Sequence, residues 1–167
     1  MNSIKSFILV FLGFCLAPHL AISQTKINLV GGLGLPEFMN IGIEAQTEKM
    51  SYSARFGLFP YEGEYIYSYS AEVAYLYNKR IHVNKEIHTY LKTVFSYTIE
   101  ETKTANYNDS FLSIRIGSKH NFNNGFGFFF DIGMAFILYS EDRSQTNFFD
   151  IDPKAIPSGS FGIFKTL

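Results

Sequence analysis

Three histidines after residue 23, together with many serines, are the side chains with which this chain could do nucleophilic chemistry. A serine hydrolase needs a serine next to a histidine base, with an acid that orients the histidine. The histidines stand in the segments 82–84 (His-Val-Asn), 88–90 (His-Thr-Tyr) and 120–122 (His-Asn-Phe), and none of these has the pattern His-x-Ser. The spacing therefore predicts no catalytic residue and no enzyme activity.

The same histidines are poorly spaced for a metal site. No two of them have the spacing His-x-x-x-His, and the single cysteine, Cys15, lies near the start of the chain. The usual zinc ligands therefore do not come together in the sequence. The acids Glu141, Asp142, Asp150 and Asp152 lack the regular alternation and the glycine of a calcium-binding loop. The sequence predicts no metal ion and no cofactor.

Charged residues recur instead on one face of several alternating segments. Most of them have apolar sequence neighbours, so in an extended chain their side chains point away from those neighbours. A charge that is buried in a narrow interior must be paired. We therefore predict a structural network of charged side chains inside a barrel, formed by Glu44, Arg55, Glu72, Lys92, Arg115, Lys119 and Asp131.

The alternation of apolar and polar residues predicts about eight β-strands. In the clearest segment, from Phe126 to Leu138, every even position is large and apolar, and the odd positions up to Ala135 carry Gly, Ala, Phe129 and Asp131. Because successive strand side chains point to opposite faces, one face is apolar throughout and the other includes a carboxylate. The predicted strands are 26–35, 37–47, 50–59, 65–78, 86–99, 110–122, 126–140 and 155–166.

Long strands with one wholly apolar face are typical of a barrel wall that has lipid outside and a polar interior. A strand of a soluble sheet is usually only about 5–6 residues long. A sheet in lipid must also close on itself, because an open edge would leave backbone groups unpaired. We therefore predict an all-β fold, a closed antiparallel up-and-down transmembrane barrel of about eight strands.

The first 23 residues read as a cleaved signal peptide. Lys5 supplies a basic start, residues 7–16 form an apolar run, and the small residues Ala21 and Ser23 precede the expected cleavage point. The expected domains are thus a signal peptide over 1–23 and a barrel over 24–167. The whole chain has 14 basic and 15 acidic residues, a balance that gives no reason to expect a nucleic-acid partner.

Two hairpin registers follow from the turn signals. A seven-residue turn over 79–85 would place Glu72 directly opposite Lys92. A three-residue loop between the sixth and seventh strands, with glycine in the left-handed position, would place Asp131 directly opposite Gly117. Asp131 would then lie diagonal to both Arg115 and Lys119. Side chains that face each other on one side of a sheet are within reach, so both registers would help to pair the interior charges.

The signal peptide, the amphipathic strands and the charged interior together resemble the small OmpA/OmpX-type outer-membrane β-barrels. The segments 32–37 (Gly-Leu-Gly-Leu-Pro-Glu) and 115–125 (Arg-Ile-Gly-Ser-Lys-His-Asn-Phe-Asn-Asn-Gly) are similar to parts of many such barrels. The resemblance implies a place in the outer membrane of a Gram-negative cell, with both termini in the periplasm. It also implies contact with outer-membrane lipid, insertion by the barrel-assembly machinery, and a structural or interaction role through extracellular loops whose partner is unknown.

Two alternatives remain open at this point. Some barrels of the resembled kind acylate or deacylate lipid A, so the chain is alternatively an outer-membrane lipid-modifying enzyme. The other alternative is a secreted, soluble lipocalin-like barrel that binds a small hydrophobe. Such a barrel also has eight strands, but it keeps its apolar residues inside and its polar residues outside.

Overall fold

The computed structural model describes residues 25–61, 64–82, 85–101, 106–140 and 155–167. The predicted signal peptide lies outside these residues. The described residues form the strands β1 (Lys26–Leu35), β2 (Phe38–Gln46), β3 (Met50–Tyr61), β4 (Glu64–His82), β5 (Lys85–Glu101), β6 (Asn106–Phe122), β7 (Phe126–Ser140) and β8 (Ala155–Thr166).

The strands close into one antiparallel barrel. Each strand pairs with its neighbours in the sequence, and β8 pairs with β1. Closure leaves no unpaired sheet edge. The predicted all-β, up-and-down, eight-stranded barrel is confirmed. We call the end where β1 begins and β8 finishes the terminal end, and the opposite end, where β7 leads to β8, the loop end.

The wall of the barrel is apolar outside. On β7 the side chain of Ile132 is 70% exposed, whereas that of the preceding residue, Asp131, is 2% exposed. A lipocalin-like barrel would need the apolar face inside, and the structure places it outside. Every strand contributes large exposed apolar side chains, among them Leu29, Ile41, Phe56, Tyr69, Leu91, Ile116, Ile132 and Ile163.

The predicted register between β6 and β7 is confirmed. Gly117 pairs with Asp131, and Gly125 in the connecting loop has a φ of +77°. This left-handed conformation suits glycine, which has no Cβ to clash with the backbone. The local turn signal therefore aligned the two strands as far as Phe111 and Ile137, beyond which the register shifts.

The predicted register between β4 and β5 is wrong. Glu72 pairs with Val94 rather than with Lys92, whose partner is Ala74. The strands continue past the expected turn to His82 and Lys85, and a register shift between residues 76 and 78 changes the alignment. A bulge of this kind adds a residue to one strand, and the turn signals did not reveal it.

No helix among the described residues is long and apolar enough to cross a membrane.

Candidate functional site

All seven charged residues predicted for the interior lie inside the barrel, and each has an exposed fraction of 8% or less. They come from six strands: β2, β3, β4, β5 and β6 supply one or two each, and β7 adds the last carboxylate. A buried charge is costly unless a partner of opposite charge and further hydrogen bonds compensate it. The contacts of each charge therefore decide what the interior can do.

Glu72 is held by three donors from neighbouring strands. Its Oε2 atom lies 2.8 Å from Arg55 Nη2 and 3.4 Å from Lys92 Nζ. The hydroxyl of Ser53 donates to the same oxygen at 2.8 Å. Lys92 reaches Glu72 although the two residues are not paired, because long side chains span the diagonal between neighbouring strands.

Lys92 continues the network to Asp131. Its Nζ atom lies 2.6 Å from Asp131 Oδ2. The hydroxyls of Tyr90 and Ser160 donate to the same carboxylate at 2.9 Å, and Arg115 Nη1 lies 3.5 Å from its Oδ1 atom. Positive and negative side chains thus alternate along one chain of contacts, which runs through Arg55, Glu72, Lys92, Asp131 and Arg115.

Glu37 is a further buried acid of this network, which the alternation pattern missed. Arg115 Nη2 donates to both carboxylate oxygens of Glu37, at 2.7 and 2.8 Å, and Ser96 donates to Oε1 at 2.8 Å. The pattern assigned position 37 to the outward face of a strand, but β2 begins only at Phe38, which has a φ of +57°. The proline at 36 was the available signal, because strand alternation does not carry through a turn.

The turn between β1 and β2 folds into the barrel and is bonded to the wall. Ser68 donates to the carbonyl oxygen of Glu37 at 2.7 Å. Arg115 and Ser158 donate to the carbonyl oxygen of Leu35, at 2.8 and 2.9 Å. The backbone of the turn therefore occupies part of the interior on its loop-end side.

A second ion pair spans the barrel nearer the terminal end. Lys119 on β6 contacts Glu44 on β2, and these strands lie on opposite sides of the closed sheet. Lys119 Nζ also donates to Gln46 at 2.6 Å, and Asn28 donates to Glu44 at 2.6 Å. The β6–β7 register had placed Lys119 diagonal to Asp131, but its ion pair is with Glu44.

Apolar side chains also point inward, among them Phe129 and Ala135, which the alternation along the seventh strand places on the same face as Asp131. One cluster, Phe111, Ala135 and Ile156, packs inside β6, β7 and β8. Another consists of Val30, Phe129 and Phe164, and the guanidinium of Arg55 lies 4.8 Å from the ring centre of Phe129. The charged network is therefore packed against apolar surface rather than surrounded by water.

Little space remains inside. A pocket bordered by Glu44, Arg55, Glu72 and Lys92 has a volume of about 10 Å³, close to what a single water needs. A wider polar mouth of about 280 Å³ opens at the terminal end, with Lys26 and Glu86 among its lining residues. The described part of the interior is a packed core, as expected for a barrel of this size.

The histidines do not gather. His88 is buried inside, with Nε2 3.3 Å from Glu86, whereas His120 lies on the outer wall and stacks on Phe128 with ring centres 4.4 Å apart. The side chain of His82 lies outside the described residues. Among the residues that the structure does describe, no group of three or more His, Cys, Asp or Glu side chains could hold a metal ion.

Among the described residues, one serine–histidine contact has the order Ser-x-His rather than His-x-Ser. Ser118 Oγ lies 3.2 Å from His120 Nε2, because residues two apart on a strand share a face. Ser118 also donates to the carbonyl oxygen of His88 at 3.2 Å. No carboxylate among the described residues bonds to His120, so the contact lacks the acid that orients a catalytic base.

Comparisons with known proteins give similarity in shape alone. No protein-family model and no curated protein matches the chain. Neisserial surface protein A is similar in structure, with a TM-score of 0.49 and 7% identity over 86% of this chain and 96% of that one. A major outer membrane protein from Thermus thermophilus also has a TM-score of 0.49, with 11% identity over 87% of this chain and 100% of that one. At these values the likeness carries no conclusion about function.

Proposed function

We propose that this chain is an outer-membrane β-barrel protein of a Gram-negative cell. Its interior is filled by side chains, and it acts as a structural protein of the membrane or through loops at the cell surface rather than as an enzyme. Outer-membrane lipid and the barrel-assembly machinery are its proposed partners, together with an unidentified partner at the loops.

The apolar belt on the outside of the barrel carries this proposal. Side chains such as Leu33, Ile43, Ile116 and Ile163 are each more than half exposed. A soluble monomer rarely exposes an apolar patch larger than roughly a few hundred Å², whereas this belt includes residues of all eight strands. Lipid is the solvent in which such a surface is stable, and the closed sheet satisfies the backbone there.

The connections support an orientation with both termini in the periplasm. At the terminal end, the strands are joined over residues 47–49, 83–84 and 123–125. The loop-end connections are 36–37, 62–63, 102–105 and 141–154, so the two longest connections are at the loop end. Small outer-membrane barrels have short periplasmic turns and longer extracellular loops. The terminal end is therefore the proposed periplasmic end.

Fractionation with heat-dependent gel migration tests the location. We expect the protein in the outer-membrane fraction, with an unboiled band that migrates differently from the boiled one because a barrel resists the detergent until it is heated. Recovery as a soluble periplasmic protein would overturn the proposal. For orientation, an epitope tag within 141–154 should be accessible on intact cells, whereas a tag after Leu167 should be accessible only after the outer membrane is permeabilised.

The contact between Ser118 and His120 raises a second candidate, a hydrolase of lipid acyl esters, but its hydrogen bonds argue against that activity. The hydroxyl of Ser118 donates to the His88 carbonyl, so His120 Nε2 can meet it only as a donor and is then not a free base. We expect ester hydrolysis in detergent–phospholipid micelles to be at background for both the native chain and Ser118→Ala. A native activity that Ser118→Ala abolishes would establish the enzyme instead.

A further inference from the structure

The outward-facing charges are unevenly distributed along the barrel. Arg80, Lys85 and Lys165 face outward, since their strand partners are Ile87, Phe122 and Phe126 and paired residues share a face. All three lie near the terminal end. In that half of the barrel, none of the described outward-facing strand residues is an acid. The outward acid at the end of β5, Glu101, is at the loop end, paired with the exposed Tyr65.

Aromatic rings fill the surface between the two lysines. Lys165 Nζ lies 4.3 Å from the ring centre of Phe126 and donates to the carbonyl oxygen of Asn124 at 2.8 Å. The ring of Phe128 stacks on His120 at 4.4 Å and lies 6.0 Å from that of Phe122. We call this surface the basic rim, defined by Arg80, Lys85, His120, Phe122, Phe126, Phe128 and Lys165.

The basic rim borders directly on the apolar belt. Further along the same strands, Phe130 and Ile163 are 47% and 62% exposed. A ligand that covers both surfaces needs an anionic group for the lysines and hydrocarbon for the belt, and a phospholipid with a net negative headgroup has both. A zwitterionic headgroup fits less well, because its own ammonium group would meet the lysines.

We infer that the basic rim binds the headgroup phosphate of an anionic phospholipid, in the leaflet next to the termini. This inference rests on the proposed membrane location and names the lipid class that the surface selects. Cations on a membrane surface are attracted to anionic lipid, and aromatic rings are favoured at the same depth. The site would hold the terminal end of the barrel at a defined depth.

Lipid retention in native mass spectrometry tests the inference. The native chain is reconstituted in vesicles with equal amounts of phosphatidylglycerol and phosphatidylcholine of identical acyl chains. The retained lipids are then counted. We expect the native chain to retain more phosphatidylglycerol than phosphatidylcholine. In Lys85→Gln/Lys165→Gln the ratio of the two retained lipids should fall by roughly fivefold for each lysine removed, because each cation near the surface contributes about 1 kcal/mol.

The control is Lys26→Gln/Lys49→Gln, which removes the same charge at the same end but away from the basic rim. Lys26 is on the inner face, paired with Gln46, and Lys49 is in the β2–β3 turn. We expect this variant to keep the native preference. Equal losses in both variants, or no preference in the native chain, would overturn the inference. Heat-dependent migration is checked for every variant, so that failure to insert counts against the proposed function and failure to discriminate counts only against the rim.

Discussion

Arg115 is one of the largest side chains that the barrel buries completely. Its guanidinium contacts the carboxylates of Glu37 and Asp131, and Ser158 accepts a further bond from its Nε atom at 2.6 Å. Removing a guanidinium from water is costly, so the net contribution of these pairs to stability is small. Loss of one partner destabilises the barrel strongly, because the other charge then stays buried without compensation.

We expect Arg115→Met and Glu37→Gln each to lower the free energy of unfolding by about 3–5 kcal/mol. The double variant should recover part of this loss, because Asp131 keeps its bonds to Lys92, Tyr90 and Ser160. The measurement is a double-mutant cycle by urea unfolding in lipid or detergent. An exposed acid changed in the same way, Glu101→Gln, is the control for a general effect of charge. A coupling energy of zero between positions 37 and 115 would contradict this prediction.

Gly57 leaves room for the β1–β2 turn inside the barrel. A Cβ at this position would overlap the carbonyl oxygen of Glu37 and the hydroxyl of Ser68, whereas a Cβ at Gly31 would meet nothing closer than 3.8 Å. We expect Gly57→Ala to cost about 1–3 kcal/mol, the range for overpacking a filled interior, and Gly31→Ala to cost much less. Urea midpoints for the two variants check this, and equal midpoints would mean that the turn does not need the space at Gly57.

At the scale of elements, the β4–β5 hairpin shows how one extra residue changes many contacts. β4 pairs with β5 in one register from Tyr65 to Leu76 and in another from Asn78 to His82. The pairing of His82 with Lys85 would by itself set Glu72 opposite Phe95, and the irregularity moves the pairing by one residue, so that Glu72 faces Val94. Lys92 lies between two acids, 3.4 Å from Glu72 and 2.6 Å from Asp131.

Paired cysteines on the outer face distinguish the two registers of this hairpin. Val73 lies opposite Thr93 in the structure, whereas a continuous register from a turn at 79–85 would set Val73 opposite Leu91. Opposed residues have Cα atoms about 4.5–5.5 Å apart, within the range of a disulfide. We expect mild oxidation to close Val73→Cys/Thr93→Cys but not Val73→Cys/Leu91→Cys, as seen in gels with and without reductant. Preferential closure of the second pair would show that the observed register is wrong.

At the scale of the whole molecule, the barrel has charged side chains inside and apolar side chains outside, the reverse of a soluble protein. Its interior carries seven predicted charges and the turn acid Glu37, and its outer wall carries most of the large apolar side chains. Such a molecule is stable only where its outer wall does not meet water. Substitutions on the outer wall therefore report on the solvent around it.

Two outward-facing isoleucines provide a matched test of that solvent. Ile132 lies in the middle of β7, whereas Ile27 is the second residue of β1, at the terminal end, and both are exposed. In a membrane, Ile132→Arg places a charge near the midplane at a cost of about 2–4 kcal/mol, whereas Ile27→Arg lies near the interface and costs about 0–1 kcal/mol. Folding into vesicles measures both costs. Equal costs would argue for water around the whole barrel.

The sequence by itself determined the features that depend on neighbours along the chain. The period of two in β7 assigned Ile132 to the outside and Asp131 to the inside, because an extended backbone alternates its side chains regardless of what surrounds it. The glycine at 125 determined the β6–β7 register next to the loop, because a tight loop aligns the two strands that it joins. These properties are local, and a single sequence contains them in full.

Only the tertiary structure decided which interior groups meet across the barrel. Lys119 contacts Glu44 on the opposite wall, and Arg115 contacts Glu37 on a turn that folds inward. The inward clusters around Phe111 and Phe129 likewise join separate strands. These contacts depend on how far each strand is shifted against the next, and closure adds up the shifts of all eight pairs. One bulge or one inward turn changes that total, so alternation along each strand cannot predict the partners inside.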